Sequence, residues 1–161
     1  MNSRIVTLMP LSAPIDFDDD DLDMLLEVNV LRAAGLSQRL AQFEERIAAR
    51  FRAHYRLAVY GSLAPGRSNH RQLQDLRGEW YSGGSVRGEL ADRGWSAGLG
   101  FPTLHWSPSG PAVAVEMFVS DELPRHWARL DEFEGADYQR IVVPVFSAAG
   151  VVAVANLYAA R

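Results

Sequence analysis

Apolar and polar positions along this chain change their period several times, and the changes divide it into elements. Residues 1–15 (MNSRIVTLMPLSAPI) keep no period and carry Pro10 and Pro14, which predicts an extended lead. An acidic run, Asp16 to Asp23, follows. An EF-hand loop would need a Gly at its sixth position, where this run has Asp21. The run is better read as a helix start, where Asp caps free N–H groups and complements the dipole. Leu22 to Ala34 then predict a helix with Leu22, Leu25, Leu26 and either Asn29 or Val30 along one side, stopped by Gly35. Ser37 caps a second helix running to about Arg52. Its Leu36, Leu40, Phe43, Ile47 and Phe51 form one apolar stripe.

Beyond this helical hairpin the runs become short and strand-like. Leu57–Tyr60 reads as a buried strand that breaks at Gly61, with Pro65-Gly66 closing the loop. Ser68–Leu76 predicts a short helix. Glu79–Ser82 and Ser85–Leu90 read as two strands joined by a hairpin at Gly83-Gly84. Gly94–Gly100 reads as a glycine-rich loop, and Phe101–Trp106 as a short strand kept near an edge by Pro102. After a turn at Ser107–Gly110 come a strand, Ala112–Val119, and a helix, Asp121–Phe133, with Leu123, Trp127 and Leu130 inward. Ile141–Phe146 and Val151–Tyr158 close the chain as a hairpin around Ala148-Ala149-Gly150. The expected fold is α+β: a small mixed β-barrel of about six to seven short strands with one packed helix, preceded by the helical hairpin. The boundary falls between 1–52, the extension, and 53–161, the barrel domain. The hairpin is expected to pack its stripe on the barrel; a homodimer through the N-terminal helices is the alternative use.

Composition narrows the function classes. The 161 residues suffice for one domain and an appendage. No apolar run approaches the ~20 residues of a membrane span, and no basic region precedes a long apolar run, so no membrane partner and a cytoplasmic location are expected. The absence of cysteine removes disulfides, thiolate metal sites and cysteine nucleophiles. Net charge is −4, with nine acids against five arginines in residues 1–50 and eleven of each thereafter. Neither part has a basic stripe, so nucleic acid is not expected as a partner. Every basic residue is Arg, which excludes a lysine Schiff base and a P-loop lysine.

The remaining chemistry concentrates in two places. His54, His70, His105 and His126 are scattered without metal-ligand spacing, Ser62 lies outside any G-x-S-x-G elbow, and the glycines of GSLAPG miss the nucleotide-binding spacings. The strand-end turn at Tyr60-Gly61-Ser62-Leu63, however, exposes successive amides that no ladder uses, a natural seat for an anion. Glu134 shares one helix face with Leu123, Trp127 and Leu130, so its carboxyl points inward beside aromatic rings. Loss of hydration raises such a pKa toward the range useful for general acid–base work. An inward Glu paired with Arg140 or a backbone amide is the plainer alternative. Asp131 and Glu132 fall off the stripe and read as solvated.

The loop Tyr60-Gly61-Ser62-Leu63-Ala64-Pro65-Gly66 (YGSLxxG) and the later Leu130-Asp131 … Glu134-Gly135 … Tyr138-Gln139-Arg140 (LDxxEGxxYxR) together resemble the γ-glutamylcyclotransferase-like family. That group includes γ-glutamylamine cyclotransferases and plant avirulence-induced-type proteins. Gly100-Phe101-Pro102-Thr103-Leu104 is similar to the family's G-[FY]-P-A-L, and Val115-Glu116-Met117-Phe118 to its G-E-L-Y, with the closing Val151–Tyr158 strand in order. The resemblance spans roughly residues 57–160 and leaves the hairpin out. It implies a small-molecule γ-glutamyl substrate whose α-carboxylate rests on the amides of Tyr60, Gly61, Ser62 and Leu63. The substrate's own α-amine attacks its γ-carbonyl and releases 5-oxoproline with an amine or peptide. Glu134 would be the acid–base, Tyr138 would line the pocket, and Arg140 would serve structure or site equally. The Tyr60 ring would pack or hydrogen-bond beneath the site. No metal or organic cofactor is implied. Trp95 and Phe101 are placed on the leaving-group side from position alone. Departures at Val115, Phe118 and Thr103 fall where that pocket would be read. The alternative function is a non-catalytic small-molecule-binding or protein-interaction module on the same fold.

Overall fold

The computed structural model describes residues 6–91 and 102–161. In chain order the elements are β1 (Leu8–Pro10), α1 (Asp19–Ala34), α2 (Gln38–Phe51), β2 (Arg56–Val59), β3 (Glu79–Ala91), β4 (Thr103–Trp106), β5 (Ala112–Val119), α3 (Trp127–Glu134), β6 (Tyr138–Ser147) and β7 (Gly150–Ala160). Five strands close a barrel in the order β3-β5-β2-β7-β6, with β6 returning to β3 where Ser85 meets Phe146. The two extra strands both lie on β3: β1 parallel to its start and β4 antiparallel to its end. This is the α+β barrel with a leading helical hairpin that the periodicity predicts.

Side chains alternate strictly where it matters. Ala58, Val113, Val115, Met117, Ile141, Val143 and Leu157 fill the barrel interior. Their outward neighbours meet two covering layers. Leu57, Val59 and Phe118 pack under α3 and the loop after β2. Val142 and Val154 pack under the hairpin, against Leu25, Val28, Ile47 and Phe51. Strands buried on both faces read as continuous apolar runs, as β6 and β7 do. The inward alanines of β7, Ala153, Ala155 and Ala159, suit the narrow bore of a five-stranded barrel.

Several local expectations are corrected. Glu79–Leu90 is one strand rather than a hairpin, because both halves find the same partner, β5. The Gly83-Gly84 pair instead marks a bulge, one extra residue on β3 between Tyr81 and Gly84, with Gly83 at φ 88°. Such a bulge bends a strand around a barrel corner. Ser68–Leu76 holds only a 3-10 turn, His70–Gln72, and the Asp121–Phe133 helix splits into a 3-10 turn, Leu123–Arg125, and α3. The extended lead contributes β1. Along the hairpin stripe, Leu36 is fully exposed, since it precedes the Ser37 cap and lies on the turn between helices. The buried face of α1 centres on Met24, Leu25 and Val28, with Leu22 only half-buried.

The open choice between Asn29 and Val30 is settled by hydrogen bonding. Val30 is exposed, whereas the Asn29 side chain donates to the Val142 carbonyl at 2.9 Å and accepts from the Val142 amide at 2.8 Å. It satisfies a stretch of β6 that its single pairing with β3 does not reach. Unpaired strand groups need such partners. The acidic run starts α1 as expected: Asp18 and Asp21 form a reciprocal capping box, and Asp21 reaches Arg50 on α2 at 2.8 Å.

One position tests the β3–β4 junction. A Cβ on Gly88 would lie 2.4 Å from the His105 carbonyl oxygen and 3.1 Å from the Trp106 Cα, at φ 154°. Backbone cannot yield as a flexible side chain would. Gly88→Ala is expected to cost about 2 kcal/mol or more, read as a lowered urea midpoint at unchanged m-value; an unchanged midpoint contradicts the close approach.

Candidate active site

β2 is a core strand, and its end fixes where the following loop begins. Beyond Val59 the chain turns through Tyr60-Gly61-Ser62-Leu63. The loop is held from within: the Ala64 amide donates to the Gly61 carbonyl at 3.1 Å and the Asn69 amide to the Ser62 carbonyl at 2.8 Å. The Asn69 side-chain amide donates to Ser62 Oγ at 2.8 Å. Among the described residues, the amides of Gly61, Ser62 and Leu63 take no part in this internal bonding. The Tyr60 ring is pinned beneath the loop, its hydroxyl donating to the Tyr158 carbonyl at 2.7 Å and accepting from the Leu104 amide at 3.1 Å. Burial pushes that phenol well above its ordinary pKa and keeps it neutral.

α3 approaches from the other side. Leu123, Trp127 and Leu130 are buried against the barrel, and the Trp127 indole N–H donates to the His54 carbonyl at 3.1 Å. The helix ends at Gly135, whose positive φ of 82° lets its amide return to the Asp131 carbonyl. Glu134, on the same face and one residue before the turn, reaches the loop. Glu134, Tyr60, Gly61, Ser62, Leu63 and Tyr138 all line one cavity of about 50 Å³, whereas Arg140 does not. That volume admits a few water-sized groups, the scale of a carboxylate and an ammonium. Burial, first, and the charge of Asp131, second, push the Glu134 carboxyl up to about 7. A carboxyl at that value takes or gives a proton near neutrality with little cost.

Sequence reasoning missed three residues of this region. Asn69 and Tyr158 line the cavity as well. Asp131 is solvent-exposed, as its place off the apolar stripe predicts, yet it also accepts the Tyr158 hydroxyl at 2.7 Å and takes Arg140 on both oxygens, at 2.9 and 3.3 Å. Burial, then that bond to Asp131, raises the Tyr158 phenol far above its usual range. Arg140 therefore serves Asp131, and its guanidinium also stacks 4.6 Å from the Trp127 ring centroid. The hint for Asp131 lay in the spacing: it stands three residues before Glu134, on the adjoining turn. Asn69 has no local pattern that marks it. Trp95 and Phe101, with the Gly94–Gly100 loop, lie outside the described residues. Among the described residues no group of His, Asp and Glu is placed to hold a metal ion, and no helix is long and apolar enough to cross a membrane.

The closed barrel with its packed helix is an architecture shared with known proteins, and comparison with them gives the family. The family model described as "Gamma-glutamyl cyclotransferase, AIG2-like" matches residues 57–161, and the chain belongs to that family. Among solved structures, an AIG2-like protein from Mus musculus is similar at 24% identity and a TM-score of 0.51, over 66% of this chain and 77% of that one. YkqA from Bacillus subtilis is similar at 26% identity and a TM-score of 0.50, over 66% of this chain and 36% of that longer one. A search of curated protein sequences gives no match. Family membership gives a γ-glutamyl cyclotransferase-type function in general terms, with a small γ-glutamyl molecule as the class of substrate. The hairpin of α1 and α2 lies outside the matched residues.

Proposed function

We propose that this protein cleaves γ-glutamyl compounds by intramolecular cyclisation, with Glu134 as the acid–base. The supporting observation is that the Glu134 carboxyl and the Tyr60–Leu63 loop line the same small cavity. The substrate's α-carboxylate rests on the amides of Gly61, Ser62 and Leu63 with Tyr60 below. Glu134 as carboxylate takes a proton from the α-ammonium. The freed amine attacks the γ-carbonyl carbon, forming the C–N bond of a five-membered ring. The protonated Glu134 then gives its proton to the departing nitrogen as the original amide bond breaks, and afterwards carries the ring nitrogen's surplus proton to the freed amine, which leaves as an ammonium. Atoms balance without water: one γ-glutamyl amide gives 5-oxoproline and one amine. Tethering both reactants in one molecule supplies an effective molarity of about 10⁵ M or more, so the protein has chiefly to orient and move a proton.

The small cavity accommodates the γ-glutamyl head, and the leaving group extends out of it. Glutathione, γ-glutamyl amino acids and γ-glutamyl-ε-lysine share that head. The test is 5-oxoproline release over such a panel, followed by mass spectrometry. At least one compound is expected to be turned over, with kcat rising through a pH of about 7 as Glu134 loses its proton. No release from any compound by folded protein overturns the proposal in favour of a binding module on the same fold.

A further inference from the structure

The hairpin of α1 and α2, which the family match leaves out, reaches the site through a continuous set of hydrogen bonds. Arg32 on α1 is largely buried and uses its whole guanidinium. Its Nε and Nη2 donate to the Glu44 carboxylate of α2 at 2.7 and 3.1 Å. Its Nη1 donates to the Asn156 side-chain oxygen at 2.8 Å and to the Arg140 carbonyl at 3.2 Å. Asn156 is fully buried, and its side-chain amide also donates to the Ala53 carbonyl at 2.8 Å. The same Asn156 oxygen accepts Arg140 Nη1 at 3.2 Å. Arg140 in turn holds Asp131 with Nε and Nη2, and Asp131 stands one turn before Glu134 on α3. Arg32 thus fixes both ends of Arg140, its carbonyl directly and its guanidinium through Asn156.

We propose that Arg32 is a positioning residue for the acid–base Glu134, acting through Asn156, Arg140 and Asp131 to set the carboxylate beside it. This rests on the cyclotransferase reading only for its consequence in turnover; the linkage itself is a property of the folded chain. A planar five-donor guanidinium is the side chain suited to such a junction, since Lys cannot span Glu44, Asn156 and the Arg140 carbonyl together. The charged and titratable groups around Glu134 are Asp131 and Glu132 on its own helix, and Asp137 in the following turn. Tyr60 of the loop after β2, Tyr138 and Arg140 on β6, and Tyr158 on β7 are the others among the described residues. Of these, Asp131 is the one whose carboxylate is held by a partner that Arg32 in turn holds.

The sign follows from that arrangement. With Arg32 removed, Arg140 neutralises Asp131 less completely, and Glu134 holds its proton more tightly. With Asp131 made neutral, Glu134 releases its proton at lower pH, and Arg32 has nothing left to act on. The experiment is carboxyl titration of Glu134 by ¹³C NMR in the full chain, assigned by comparison with Glu134→Gln, so no turnover is needed. Arg32→Met is expected to raise the midpoint by roughly 0.5 unit, and Asp131→Asn to lower it. In the Asp131→Asn background Arg32→Met is expected to move it no further. If Arg32→Met fails to fold, Arg32→Lys, which keeps the charge but loses the fork, is carried through the same cycle with the same expectation. An unshifted midpoint in the folded single variant, or an equal shift with and without Asp131, overturns the proposal. Where turnover is found, the rising limb of kcat against pH is expected to move with the midpoint; absence of turnover bears on the proposed reaction and leaves the titration to decide this one.

Discussion

Glu134→Gln is expected to lower kcat by about 10²–10⁴-fold while leaving substrate affinity and fold intact, because it removes the proton carrier and keeps the shape. The same substitution should stabilise the protein at neutral and higher pH. In the folded chain the carboxyl titrates near 7, above its ordinary value of 4.5, because burial and Asp131 both oppose its charge. A group whose pKa rises on folding gives its full stability contribution below about 4.5 and loses it as pH rises through 7. Glutamine carries no such cost. The gain of Glu134→Gln should therefore be absent at pH 4, grow through neutrality and level off above 8, reaching ~1–3 kcal/mol. Urea denaturation at pH 5 and pH 8 measures it. A variant that loses turnover and gains stability only at the higher pH marks a carboxyl held charged for function. Retained turnover removes Glu134 from the acid–base role.

Leu130→Ala is expected to destabilise the fold by about 2–5 kcal/mol. Leu130 is completely buried between α3 and the outer face of the barrel, packed with Leu57, Phe118 and Leu123. Neither β2 nor β5 can collapse into the gap, since each is paired on both sides in the closed barrel. The same residue also seats the helix that carries Glu134, so the folded fraction should show a lowered kcat with the rising limb of its pH profile shifted toward the ordinary carboxylate value as water reaches the site. Chemical denaturation reads the first effect and a pH–rate profile the second. A loss under 1 kcal/mol would mean that α3 is held mainly by the Trp127–His54 hydrogen bond and the Arg140 contacts rather than by burial.

Much of this protein follows from its sequence. Short apolar runs marked the strands Ala112–Val119 and the closing hairpin, because a strand packed on one or both faces shows its burial directly. Asp18, Ser37 and Gly35 bounded the hairpin, because caps are local chemistry with local partners. That the chain turns after Tyr60 and that Glu134 faces inward were readable for the same reason: one is a strand end, the other a helix face. Tertiary structure alone decided the rest. That Gly83-Gly84 bends a single strand and does not turn a hairpin depends on both flanks finding β5, 25 to 40 residues further along the chain. That Asn29, and not Val30, faces inward depends on the unpaired backbone of Val142. That Asp131 meets Tyr158 and Arg140, and that Arg32 meets Asn156 and the Arg140 carbonyl, depends on the pairing of β6 with β7. Local sequence encodes what a residue's neighbours along the chain can satisfy. Hydrogen bonds between buried groups far apart in sequence exist only once the barrel has closed.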